Sequence, residues 1–144
     1  MAEVIGVVSG LIDIFSFFAS MFPSPESNVA YLRVTAALDT DSLHEAGGAI
    51  YDIDLYNENE QYIGGWNDDH VTINNGDFYD FACDQDNNQQ ATWVTVEADT
   101  DAICIPSLSL TMAGGDKYGW VGDWGQQCNL QWYYSNYYVD NSDR

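Results

Sequence analysis

The sequence predicts a mainly β protein: an antiparallel β-sandwich of Greek-key-like type, preceded by one apolar N-terminal α-helix. Three observations predict it. From residue 29 onward, apolar and polar residues alternate with a period of two in one short run after another. Clusters rich in Asn, Asp and Gly separate these runs at roughly 8–12 residue spacing, as the turns of a sandwich or barrel do. Before residue 23, by contrast, the apolar residues follow one another almost without a break.

The opening stretch, residues 1–22, reads as a helix. Glu3, Gly6, Ser9, Gly10, Asp13, Ser16 and Ser20 recur every three or four residues and make one narrow polar or small stripe. Val4, Ile5, Val8, Leu11, Ile12, Phe15, Phe18 and Phe22 fill much of the remaining circumference. Pro23 and Pro25 stop the helix, and residues 23–28 form a linker. A span from Val4 to Phe22 would measure about 28 Å at ~1.5 Å per residue, close to a bilayer core. Asp13 near its centre and the absence of flanking cations argue against a lone membrane span. The lack of Lys or Arg ahead of the apolar run argues against a secretory signal, so the expectation is a cytoplasmic or non-conventionally exported protein.

Residues 29–144 form the expected β domain. "YLRVTAAL" sets Leu32, Val34, Ala36 and Leu38 against Tyr31, Arg33, Thr35 and Ala37. "IYDIDLY" places Tyr51, Ile53 and Leu55 on one face. The "NENE" turn then leads into "QYIGGW" as a hairpin. Further strands are expected in "HVTI", "DFYDF", "TWVTVE", "ICIPSLSLTM", "YGWVG" and "QWYYSNYYV". Within "PSLSLTM", Ser107, Ser109 and Thr111 alternate with Leu108, Leu110 and Met112, the pattern of a half-exposed strand.

Charge narrows the functional classes. Three cations stand against 23 carboxylates in 144 residues, a formal net charge of −20. Such a field repels nucleic-acid phosphates and anionic membrane surfaces, so no nucleic-acid partner is expected. The 5 Trp, 10 Tyr and 6 Phe rule out a disordered chain despite the charge. Three cysteines permit one disulfide and one free thiol, or an intermolecular bridge, and no Cys/His cluster has zinc spacing.

Few stretches carry chemistry. Asp84 and Asp86 in "CDQDNNQQ" begin like an EF-hand loop, but Gln89 and Thr95 stand where its glycine and glutamate belong. "NDDHVTI" distantly resembles the calcium loop of βγ-crystallins. Asn67, Asp68 and Thr72 match, whereas Val71 stands where a hydroxyl residue is usual. Asp68, Asp69, Asp84 and Asp86 are therefore the candidate Ca2+ ligands, and no cofactor is required. No nucleophile elbow, phosphate loop or distinctive acid–base pair occurs. Trp120, Trp124, Trp132 and Tyr134 crowd the C-terminal quarter and could stack on glycans.

The stretch from Asp101 to Asn136 resembles a pattern in small, largely uncharacterised fungal proteins. Asp101-Ala102-Ile103-Cys104-Ile105 is followed by Gly119-Trp120-Val121-Gly122-Asp123-Trp124-Gly125, then Cys128, then Trp132-Tyr133-Tyr134-Ser135-Asn136. Met112-Ala113-Gly114-Gly115-Asp116 departs from the turn typical of the pattern. The resemblance implies a fungal source and a Cys104–Cys128 disulfide, and it implies no activity.

Together these features lead to an expected non-enzymatic, self-assembling structural protein. Its N-terminal helix would build an oligomer or filament with itself as partner, leaving the acidic β domains outside. A lectin-like module using the C-terminal aromatics is the alternative, and a pore-forming or membrane-active protein is a third reading.

Overall fold

The computed structural model describes residues 21–41, 43–99, 102–122 and 124–134. Among them, eight antiparallel strands join into one sheet. They are β1 (Val29–Thr35), β2 (Gly48–Tyr56), β3 (Tyr62–Trp66), β4 (Val71–Ile73), β5 (Phe78–Gln85), β6 (Trp93–Ala98), β7 (Ser107–Thr111) and β8 (Lys117–Val121), followed by the short helix α1 (Trp124–Gln127). The protein is mainly β and antiparallel, as expected, but hydrogen bonding links all the strands into a single sheet rather than dividing them into two. The helix expected over residues 1–22 lies outside the described residues except for Met21 and Phe22.

β1 sits between β5 and β7, and β8 lies beyond β7. On the other side, β3 and β4 share one edge of β2 while β6 runs along its opposite edge. The two groups of strands meet where Gly64 and Gly65 of β3 pair with Gln85 and Asp84 of β5. Only glycine fits at that junction. A Cβ on Gly64, whose φ is +153°, would lie 2.1 Å from the Asp84 carbonyl oxygen, and one on Gly65 would lie 2.4 Å from the Ile53 carbonyl oxygen.

One core gathers side chains from both groups. Ala30, Leu32 and Val34 of β1, Phe81 and Cys83 of β5 and Leu110 of β7 pack with Ile50, Ile53, Leu55, Ile63 and Ile73. The alternation in β1 reads true, with Leu32 and Val34 facing this core. The β2–β3 turn is held by Asn57. Its Oδ1 accepts from the Asn59 and Gln61 amides at 2.9 and 3.1 Å, and Glu60 takes φ 60°.

Several details differ from the sequence reading. A register shift between Ile50 and Asp52 in the β2–β6 pairing turns Tyr51 outward, 44% exposed, while Ile50 and Ile53 are both buried. A bulge adds one residue and reverses the alternation locally. β7 is not half-exposed: Ser109 and Thr111 are 2% and 0% exposed because another segment covers their face. Residues 103–106 precede β7 as irregular chain, held where the Cys104 amide donates to Ala46 O and Cys104 O accepts from the Ala37 amide. Gln131–Tyr134, expected within the last strand, forms no strand, and the remainder of that stretch lies outside the described residues.

Candidate functional site

The face of β7 that points away from the core is covered by Met21–Pro25. Ser109 Oγ donates to the Met21 carbonyl, and Thr111 Oγ1 donates to the Pro23 carbonyl at 3.1 Å. Pro23 has no amide to satisfy, so its carbonyl is the group that needs a partner here. Phe22 lies over β8, where a Cβ on Gly119 would approach its Cζ to 3.5 Å, and Lys117 Nζ stands 5.5 Å from the centre of its ring. Pro25 reaches Gly115 in the β7–β8 turn. The residues expected to form a linker are thus laid along the sheet.

Strand register defines the rest of this outer face. Arg33 and Thr35 of β1 stand opposite Ser109 and Ser107 of β7, and opposite Asp80 and Phe78 of β5. Val121 of β8 stands opposite Ser107. Pro23 sits at Thr111 and Met21 at Ser109, so this segment runs along β7 toward the end of the face that carries Phe78 and Val121. Those two side chains are 53% and 57% exposed. Two of the three cations, Arg33 and Lys117, belong to this face, and Arg33 is paired there with Asp80. Of the assembly-helix residues, Phe22 is the one placed here; Val4, Ile5, Val8, Leu11, Ile12, Phe15 and Phe18 lie outside the described residues.

The other sequence candidates are dispersed. Trp120 is half-buried, opposite Leu108 on the core side of β8. Trp132 is half-buried and meets Tyr134 edge-to-face, with ring centres 4.8 Å apart at 68°. Tyr134 is exposed, and Trp124 opens α1. Asp68 and Asp69 occupy the β3–β4 connection, whereas Asp84 lies on β5 and Asp86 just beyond it, and all four are exposed. Among the described residues, no three His, Cys, Asp or Glu side chains stand together as a metal site would require. Cys83, Cys104 and Cys128 are buried, half-buried and exposed free thiols, so the Cys104–Cys128 bridge implied by the resemblance is not formed here. Burial pushes the Cys83 thiol up to about 12 and also raises Cys104.

The sequence reading did not single out an open cleft of about 640 Å³ lined by Trp66, Asn67, Asp68, Asp69, Val71 and Tyr79. Trp66 and Tyr79 stand on different strands and border one cleft, each packed against Phe81 of β5. A Trp directly before an amide and two carboxylates, "WNDD", is the one local signal that could have drawn attention to it.

No helix among the described residues is long and apolar enough to cross a membrane. Compared with protein-family models, with curated proteins and with solved structures, the chain matches none of them.

Proposed function

We propose that the protein is a non-enzymatic, self-assembling structural protein whose copies join through the N-terminal apolar segment. The observation that supports this reading is the docking of Met21–Pro25, the end of the apolar segment and the residues after it, along the outer face of β7 and β8. A helix over residues 1–22, apolar around most of its circumference, buries one side on that face and offers the other to a second copy. The two strand groups then fold over their shared core as the layers of a β-sandwich, with the carboxylate-rich exterior limiting unspecific association.

Light scattering of the full-length protein tests the reading. The wild type is expected to run as several protomers, and Ile12→Asp and Phe15→Glu are expected to run as monomers with an unchanged β-domain melting transition. A monomeric wild type at about 100 μM would overturn it, since an obligate assembly persists at such concentrations. A glycan site built from Trp120, Trp124, Trp132 and Tyr134 has less support, because the Trp120 side chain sits on the core side and Trp132 and Tyr134 meet edge-on.

A further inference from the structure

The β3–β4 connection contains two residues more than its partner strand. Ile53 pairs with Trp66 and Ile50 with Val71, so three steps along β2 are matched by five across the way. The excess pushes Asn67–His70 out of the ladder, at one end of the core. Bulges of this kind re-aim side chains next to binding sites.

Two aromatic rings stand beside the excursion. Trp66 shares the core side with Ile53, and Tyr79 shares it with Val34. Each packs against Phe81, at ring-centre distances of 4.7 and 4.8 Å and interplanar angles of 66° and 61°. Phe81 is completely buried, so it fixes both rings in place. The space they border with Asn67, Asp68, Asp69 and Val71 is the open cleft of about 640 Å³, within the ~300–1,000 Å³ range of small-ligand sites. The Trp66 indole N–H, the Tyr79 hydroxyl and the side chains of Asn67, Asp68 and Asp69 hydrogen-bond to nothing among the described residues.

We infer that this cleft binds a neutral pyranose. A pyranose ring carries an apolar C–H face and a rim of hydroxyls, each able to donate and accept. Trp66 and Tyr79 supply the aromatic surface for the C–H face. Asp68 and Asp69 accept from adjacent hydroxyls, while the Trp66 indole N–H and the Asn67 amide donate to them. A simple cation would engage the carboxylates and leave those donors unused. The two carboxylates and the net charge of −20 exclude uronic and sialic acids. The inference is independent of self-assembly and of the C-terminal aromatics.

The test is to screen the full-length protein on an array of neutral and anionic glycans, then titrate the best neutral hit by intrinsic tryptophan fluorescence. Binding of at least one neutral saccharide is expected, with a Kd in the micromolar to millimolar range. Tyr79→Ser and Asp69→Asn should each weaken it by about tenfold or more, whereas Trp132→Ala should leave it unchanged. Asp69→Asn removes no packed group, so it keeps the test decisive if Tyr79→Ser does not fold. Two outcomes would overturn the inference: no binding of any neutral saccharide up to about 10 mM, or equal binding by wild type and both cleft variants.

Discussion

Arg33 of β1 and Asp80 of β5 are direct cross-strand partners joined by two parallel hydrogen bonds, Nε to Oδ1 at 2.6 Å and Nη2 to Oδ2 at 2.7 Å. The guanidinium carbon also lies 3.9 Å from the centre of the Phe78 ring. A planar fork satisfies the carboxylate and the aromatic face together, which a lysine ammonium cannot do. Arg33→Ala is expected to cost about 2 kcal/mol and Arg33→Lys about 1 kcal/mol, read from urea unfolding midpoints. Equal losses for the two would show that charge alone matters.

The hydroxyls of Ser109 and Thr111 tether Met21–Pro25 to the sheet. Ser109→Ala and Thr111→Val each remove one hydrogen bond to a carbonyl and should cost about 1 kcal/mol. The double variant is expected to be cleaved by protease between Met21 and Ser27 several-fold faster than the wild type, with the β domain intact. An unchanged cleavage rate would mean that the tether contributes nothing to holding the segment.

Gly64 and Gly114 offer a matched comparison. A methyl on Gly64 meets the Asp84 carbonyl, whereas one on Gly114 meets nothing within 4 Å. Gly64→Ala is expected to cost about 3 kcal/mol or to prevent folding, and Gly114→Ala to stay within about 0.5 kcal/mol of wild type. Thermal melting monitored by circular dichroism separates the two.

Stability should fall as pH rises, in two steps. Burial, then repulsion from Asp54 and Glu97, raises the Asp52 carboxyl above its ordinary value. Its folded form therefore prefers the proton, and that preference is lost as pH climbs through the raised value. Tyr51 is also raised, first by its hydrogen bond to Glu97 and then by that carboxylate's charge. Its contribution is complete below about pH 10 and disappears above. The melting temperature should be higher at pH 4.5 than at pH 7.5, and lowest at pH 11. Asp52→Asn should reduce the acid step and Tyr51→Phe the alkaline one.

The thiols should react in order of exposure. In native protein at pH 8, Cys128 is expected to react first with an aromatic disulfide reagent and Cys104 more slowly. Cys83, buried and pushed up to about 12, should react only on unfolding. Two thiols silent until reduction would instead reveal a Cys104–Cys128 bridge.

What the sequence made legible was whatever depends on neighbours along the chain. Alternation in "YLRVT" set Leu32 and Val34 together on one face, which is the face that meets the core, and "NENE" marked a turn. Ser109 and Thr111 were misread because serine and threonine on one face signal solvent, and the cover comes from residues more than 80 positions earlier. Tyr51 was misread because a bulge depends on the partner strand, which a single strand's pattern does not contain. Asp68 and Asp69 were noticed as carboxylates, but their aromatic neighbours were not, since Trp66 and Tyr79 border one cleft only through their shared packing on Phe81.

The central place of β1 has a consequence for synthesis. It is the first strand of the sheet to leave the ribosome, yet its neighbours β5 and β7 begin at residues 78 and 107. At about 5–20 residues per second, Leu32 and Val34 wait for seconds before either edge of their strand finds a partner. The apolar stretch just upstream waits with them. Nascent chains of this protein should therefore be clients of chaperones that bind near the exit tunnel, and yield in a cell should respond more to their supply than to the stability of the finished sheet.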